Sequence, residues 1–207
     1  MNLIEDIKTI KNPVETKFKE KASVFIGKPF HVLTEIEAEK ILVEIRKKYY
    51  DAAHHCYAYK LASDIRKYSD DGEPSGSAGL RILNAIEHFE LTNCIVVIIR
   101  YFGGTKLGVG PLGKAYYTTA FQTLQLSDII EQKLFRKASI VFDFQFLNQC
   151  HRIIANYNAK ILESNYDSNV NLVCLFHSKD INNVIIELTE ISKGQIKMLA
   201  HSEYCYL

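Results

Sequence analysis

The stretch "CIVVIIRYFGGTKLGVGPLGKAY", residues 94–116, decides the fold of the first half of the chain. Its opening "CIVVIIRY" (94–101) is nearly continuous β-branched residue, the pattern of a strand covered on both faces. A glycine-rich turn follows. Pro111 fits the first turn of a helix, where no backbone N–H is needed, and that helix is predicted to run to about Leu126. Upstream, "AGLRILNAIEHFE" (78–90) places Ile82, Leu83, Ile86 and Phe89 on one helical face. "HHCYAYKL" (54–61) reads as a strand. Thr34 opens another helix with Glu37 three positions on, a capping box, ahead of an apolar stripe at Ala38, Ile41, Leu42 and Ile45. Residues 15–30 alternate weakly, as one or two strands do.

Beyond Leu126 the pattern changes, and "LSDIIEQKLF" (126–135) reads as the joint between two domains. Ala138, Ile140, Phe142 and Phe144 alternate as in a half-buried strand. Leu147, Cys150, Ile154 and Tyr157 form a helical stripe. "AKILES" and "VNLVCLF" flank the turn "NYDSN", and Ile181, Val184, Ile185 and Leu188 make a second helix before a last strand in "QIKMLAHSEYCYL". The order β-α-β-β-α-β is that of a ferredoxin-like split βαβ. The expectation is an α+β protein of two domains, 1–128 (core about 15–126) and 131–207.

Composition narrows the function classes. The 207 residues carry a net charge of +1, with 17 Lys and Arg against 16 Asp and Glu through Asp128 and 8 against 8 after it. Neither half has the basic excess of a dedicated nucleic-acid binder, so any basic surface is local. No apolar run approaches the roughly 18 residues that cross a bilayer, and "MNLIEDIKTIKN" lacks the apolar core of a signal peptide. A cytoplasmic location without membrane contact is expected. Five scattered cysteines without a CxxC pair indicate reduced thiols, not a zinc or disulfide framework. Oligomeric state is not readable.

Three stretches carry candidate chemistry, and each has two readings. "GVGPLG" (108–113) fits G-x-G-x-x-G between a strand and a helix. A dinucleotide site needs a further parallel strand and an acid about 20 residues on, and a phosphate loop needs Ser or Thr where Ala115 stands. What survives is an anion site at a glycine-lined helix N-terminus flanked by Lys106 and Lys114, or simply a tight turn. In "SDDGEPSGSAG" (69–79), Asp70, Asp71 and Glu73 suit a hard cation, or they satisfy backbone donors while Gly72, Gly76 and Gly79 supply positive φ. His54 and His55 alternate across a strand, so they cannot share one metal. One packs and the other faces a cleft as an acid–base candidate, or both are structural. There is no Ser/His/Asp set, HExxH or GxSxG, so no catalytic residue, metal or cofactor is assigned.

Taken together, these stretches resemble the YigZ/IMPACT family across nearly the whole chain. "SDDGEPSGSAG" is similar to its S-D-D-G-E-P-x-G-T-A-G signature, and "VVIIRYFGGTKLGVGPLGKAY" to its V-V-R-Y-[FY]-G-G-x-x-L-G-x-G-G-L-x-x-A-Y. Ser77 stands where Thr is usual, Arg81 where a proline often follows, and Pro111 for a glycine. The resemblance implies a ribosomal-protein-like α/β N-terminal domain, a ferredoxin-like C-terminal domain, and a translation-linked role with RNA, ribosome or translation-factor partners. Eukaryotic relatives regulate an amino-acid-starvation kinase, and bacterial members have been proposed to bind nucleic acid or the ribosome.

The candidate binding surface comprises His54, His55, Asp70, Asp71, Gly72, Glu73, Pro74 and Gly76, with Arg100, expected to emerge at the sheet edge and meet a phosphate or carboxylate. Tyr101, Gly103, Gly104, Lys106, Gly108, Gly110 and Lys114 complete it. Tyr57, Tyr59, Tyr101 and Phe102 are candidate stacking rings. The alternative reading is a metal-dependent enzyme or small-molecule binder acting on a phosphate-bearing ligand at the same place.

Overall fold

A computed structural model describes residues 3–207. Its elements are β1 (Asp6–Asn12), β2 (Thr16–Glu20), β3 (Ser23–His31), α1 (Glu35–Lys48), β4 (His54–Lys60), β5 (Arg66–Ser69), α2 (Gly79–His88), β6 (Cys94–Tyr101), α3 (Val109–Leu126), β7 (Asp128–Phe142), α4 (Leu147–Asn156), β8 (Lys160–Tyr166), β9 (Val170–His177), α5 (Ile181–Ser192) and β10 (Lys197–Tyr206). The chain divides into a first unit ending at Glu131 and a second, Gln132–Leu207. The architecture is α+β, with antiparallel sheets.

In the first unit the sheet runs β2-β3-β6-β4-β5, antiparallel at every pairing. The β-branched run of β6 lies at its centre and serves two cores. Cys94, Val96 and Ile98 pack with Ile82 and Ile86 of α2 and Leu112, Tyr116 and Leu124 of α3. Ile95, Val97 and Ile99 pack with Leu42 and Ile45 of α1. Every residue from Ile95 to Ile99 is fully buried, so a strand of an antiparallel sheet acquires the continuous apolar run more usual in parallel ones. Thr34 Oγ1 accepts from Glu37 N at 3.2 Å. Glu37 in turn accepts from Leu33 N at 2.6 Å, one residue before the cap. Gly103 is fixed by close approach: a Cβ there would lie 2.0 Å from the Ala22 carbonyl carbon.

The second unit orders its strands β10-β7-β9-β8, again antiparallel. Ala138, Ile140 and Phe142 of β7 face Cys150, Ile153 and Ile154 of α4 and Val184 and Leu188 of α5. Edge strand β8 is exposed along its length, and its register with β9 shifts between Ile161 and Glu163.

The 126–135 stretch read as the joint contains the division between the two units, and no loop intervenes there: α3 stops at Leu126, and β7 starts at Asp128. Ser127 Oγ donates to Thr123 O at 2.8 Å and accepts from Val14 N at 3.1 Å, so one side chain both ends the helix and ties down the N-terminal segment. Phe144 leaves the strand for a short 3₁₀ turn. Strands β1 and β5 are additions to the expected set, because each is short and mixes polar with apolar residues.

Cys94, Cys150 and Cys174 are buried, and burial pushes their thiols up to about 12, 12 and 11. Burial raises Cys56 further still. Cys205 is only partly buried. A thiol reagent applied near pH 8, where only thiolates react, is expected to modify Cys205 alone in native protein and all five cysteines after denaturation. Rapid native modification of a second thiol would contradict this packing.

Candidate functional site

The acidic loop is shaped by its own carboxylates. Asp70 Oδ1 accepts from Ala78 N at 2.9 Å and Gly79 N at 2.8 Å, and Oδ2 accepts from Gly76 N at 2.8 Å. It therefore caps the start of α2 from eight residues upstream, serving donors that a helix N-terminus leaves unpaired. Asp71 holds a left-handed backbone at φ 44°, a conformation costing on the order of 1 kcal/mol for a residue with a side chain. Its hydrogen bonds hold it there. Oδ1 accepts from Arg46 Nη2 at 2.9 Å, and Oδ2 accepts from His55 N at 2.6 Å. Gly72 follows at φ 87°. Ser77 closes the bend, its hydroxyl donating to Pro74 O at 2.6 Å.

The histidines diverge as strand alternation requires. His54 Nδ1 lies 2.8 Å from Asp71 O, and His55 Nε2 lies 3.0 Å from Tyr49 O. Carbonyls only accept, so each of these nitrogens carries the proton. His55 is buried, and His54 stays partly open.

Glu73 is the centre of the assembly. Its Oε1 accepts from Arg100 Nη1 at 2.6 Å and from Tyr116 OH at 2.7 Å, with His54 Nε2 at 3.8 Å. The side chains of Arg100 and Glu73 are only 6% and 4% exposed. The Cys56 thiol donates to Asp70 O at 3.0 Å and lies 3.3 Å from the Tyr116 hydroxyl. Burial, with Cys56 and Glu73 alongside, drives the Tyr116 phenol well above its usual range. Arg100 Nη2 reaches Ser23 Oγ at 3.3 Å, and its guanidinium lies 5.4 and 5.5 Å from the ring centroids of Phe25 and Phe102. One expectation is corrected here: Arg100 does not emerge at the sheet edge, because the carboxylate it meets is Glu73 of its own chain. Of the two readings of the acids, the observed arrangement is the one in which they accept from the chain's own N–H and O–H donors; among the described residues no His/Cys/Asp/Glu cluster is placed to hold a metal.

The remaining candidates face water. Gly104, Lys106, Gly108, Gly110 and Lys114 are exposed, and Gly103 and Tyr101 are partly so. Tyr101 OH donates to Asp51 Oδ1 at 2.8 Å. Of the proposed stacking rings Tyr59 is sealed, Tyr57 lies stacked beside it, and Phe102 is half exposed. Gly108 caps α3 at φ 83° without a side-chain acceptor. Beside it an open depression of about 310 Å³ is lined by Phe18, Glu20, Gly110, Pro111, Lys114 and Thr118. Sequence reasoning missed a second exposed feature, an aromatic and cationic ridge along α2 and α3. Its signals in the sequence are Arg81, a departure from the family pattern, and the seven-residue spacings Arg81/His88 and Lys114/Phe121.

The acidic bend and the strand–glycine–helix unit it packs against both lie within residues 21–124, which match the family model of the Impact N-terminal domain. The chain belongs to the IMPACT family. It is 32% identical over 189 residues to the IMPACT family member YvyE of Bacillus subtilis, covering 90% of this chain and 87% of that one. To the IMPACT family member YigZ of Escherichia coli it is 29% identical over 196 residues, covering 92% and 96%. Rat Protein IMPACT matches over 77 residues at 34% identity, 35% of this chain and 24% of the rat protein. A crystal structure described as a hypothetical protein superposes with a TM-score of 0.69 at 27% identity, covering 97% of this chain and all of that one.

Removing one member of the buried ion pair leaves the other charge unpaired, a loss of about 3–5 kcal/mol. Arg100→Met and Glu73→Leu are each expected to lower stability by that amount in urea unfolding, and the double variant to recover most of it. A double variant as unstable as the sum of the singles would refute the pairing.

Proposed function

We propose that the protein is a translation-associated regulatory protein whose first unit binds RNA, the ribosome or a translation factor through an anionic group of that partner. The observation carrying this reading is how charge divides at the end of the unit where α3 begins. The acids of the signature loop are turned onto the chain's own donors, while the groups facing water around the start of α3 include the cations Lys106 and Lys114 and free N–H donors, with Glu20 the acid lining the same depression. Lys106 and Lys114 are exposed and have no ion-pair or hydrogen-bond partner among the described residues. Val109 and Gly110 open α3, where backbone N–H groups and the helix dipole favour an anion. Pro111 removes one donor from this end, so fewer N–H groups are on offer than the family pattern would give.

Gly110 adds shape. A Cβ there would meet nothing within 4 Å, so internal packing does not require a glycine, although alanine would stabilise the helix by roughly 0.5–1 kcal/mol. A bare backbone is what close approach by a ligand needs. The link to translation comes from family resemblance, and the chemistry of the ligand from these exposed groups. A small phosphate-bearing molecule is the second reading, favoured by the depression of about 310 Å³ beside Lys114, near the lower size of ligand pockets.

Sedimentation with purified ribosomes over a salt series tests the reading. Binding is expected to fall steeply with salt. The double variant Lys106→Ala/Lys114→Ala should lower the slope of log K against log salt by about 2, one unit for each phosphate that a lysine no longer neutralises. Binding indifferent to salt, or a variant slope equal to that of wild type, would remove these lysines from the interface.

A further inference from the structure

The ridge formed by α2 and α3 shares Lys114 with the site described above and continues along both helices. Two rows of side chains run along it: Arg81, Asn84 and His88 on α2, and Lys114, Tyr117 and Phe121 on α3, spaced three to four residues apart so that each row shares a face. The rows meet at both ends. At one end Arg81 lies across Gly113, its Nε 3.3 Å from where a Cβ would be, so the glycine lets the arginine lie against α3. At the other end His88 packs on Phe121 at 5.2 Å between ring centroids, with Phe89 at 5.0 Å and Tyr117 at 6.0 Å from the same ring. His88, Arg81 and Lys114 are exposed, and the three other aromatic rings are half-buried.

The charge at this ridge is uncompensated. Neither Arg81 nor Lys114 has a hydrogen-bond or ion-pair partner among the described residues. The acids nearest to His88 in sequence are already engaged: Glu87 accepts from Arg66 Nη1 at 2.7 Å, and Glu90 from Lys8 Nζ at 2.6 Å. Glu20 lines the depression beside Lys114 without pairing to it. Two free cations therefore share the ridge with a cluster of four rings, Lys114 three residues before Tyr117, and Lys114 and Arg81 each seven residues, about 10 Å of helix rise, before Phe121 and His88.

We infer that this ridge is a stacking platform for single-stranded RNA, with Arg81 and Lys114 taking backbone phosphate and the His88–Phe121 cluster taking an unstacked base. The inference rests on the anionic-partner reading above and names the partner's class. An apolar protein anchor would use the rings but leave both cations desolvated and unpaired. A polynucleotide satisfies both ends, because phosphate and base recur along one strand. The rings lie on the helix surface and can meet a base only when it is free of its own stack, which selects single strand over duplex.

Fluorescence anisotropy with a labelled single-stranded oligouridylate and a duplex of equal length tests this. The single strand is expected to bind more tightly. His88→Ala and Phe121→Leu, the second of which keeps apolar volume but removes the ring, should each weaken it about 5- to 100-fold with the salt slope unchanged. Arg81→Ala should lower the slope by about 1. Unfolding midpoints equal to wild type keep the comparison clean, and His88, being exposed, supplies the variant least able to disturb folding. Equal affinity for duplex, or no effect from either ring variant, overturns the inference. Absent oligonucleotide binding while ribosome sedimentation persists also overturns it and leaves the broader reading standing, as does a protein partner whose capture is abolished by His88→Ala.

Discussion

A buried carboxylate needs donors or it destabilises the fold, and in the first unit that requirement falls on Glu73. Its position brings four elements to one point: Arg100 from the end of β6, Tyr116 from α3, His54 from β4, and the acidic bend itself. Asp70 and Asp71 answer the same constraint on either side, one by capping α2 and the other by holding Arg46 and the backbone of β4. The conspicuous acidity of this loop is thus internal wiring. Its three carboxylates tie a turn to a sheet and three helices, α1 through Arg46, α2 through its first N–H groups and α3 through Tyr116, and each is satisfied within the molecule.

That wiring fixes what remains for a partner. Because the loop is held at several points, the adjoining glycine turn and the start of α3 are presented in a defined shape, and binding there would order little additional chain. Beside the glycine turn the exposed side chains include Lys106, Lys114 and Phe102, while Glu73 of the acidic motif is buried.

Much of the architecture was legible. The β-branched run of residues 94–99 announced a strand covered on both faces, and the structure adds that its alternate residues feed separate cores. The stripes at Ala38–Ile45 and Ile82–Phe89 became α1 and α2, and the second half followed the predicted strand and helix order. Periodicity could not show that Ser127 carries the chain directly from helix into strand, because one hydroxyl bonding to Thr123 and Val14 leaves no repeating pattern. Nor could it orient Arg100. A cation at the end of an apolar strand looks the same in sequence whether it reaches solvent or a carboxylate 27 residues away. The α2–α3 ridge was legible only in halves: the seven-residue spacings mark one face on each helix, but the two faces meet only after folding.

The shift of register in β8 has its own consequence. A straight, fully exposed outer strand is an open template on which another molecule's strand can zip, and sheets with such margins polymerise. The extra residue at Leu162, beside the charged Lys160 and Glu163, twists that margin and breaks the even ladder that a foreign strand would have to match. The irregularity acts as a guard against growth from one molecule to the next, and it lets the second unit keep a bare rim in a crowded solution.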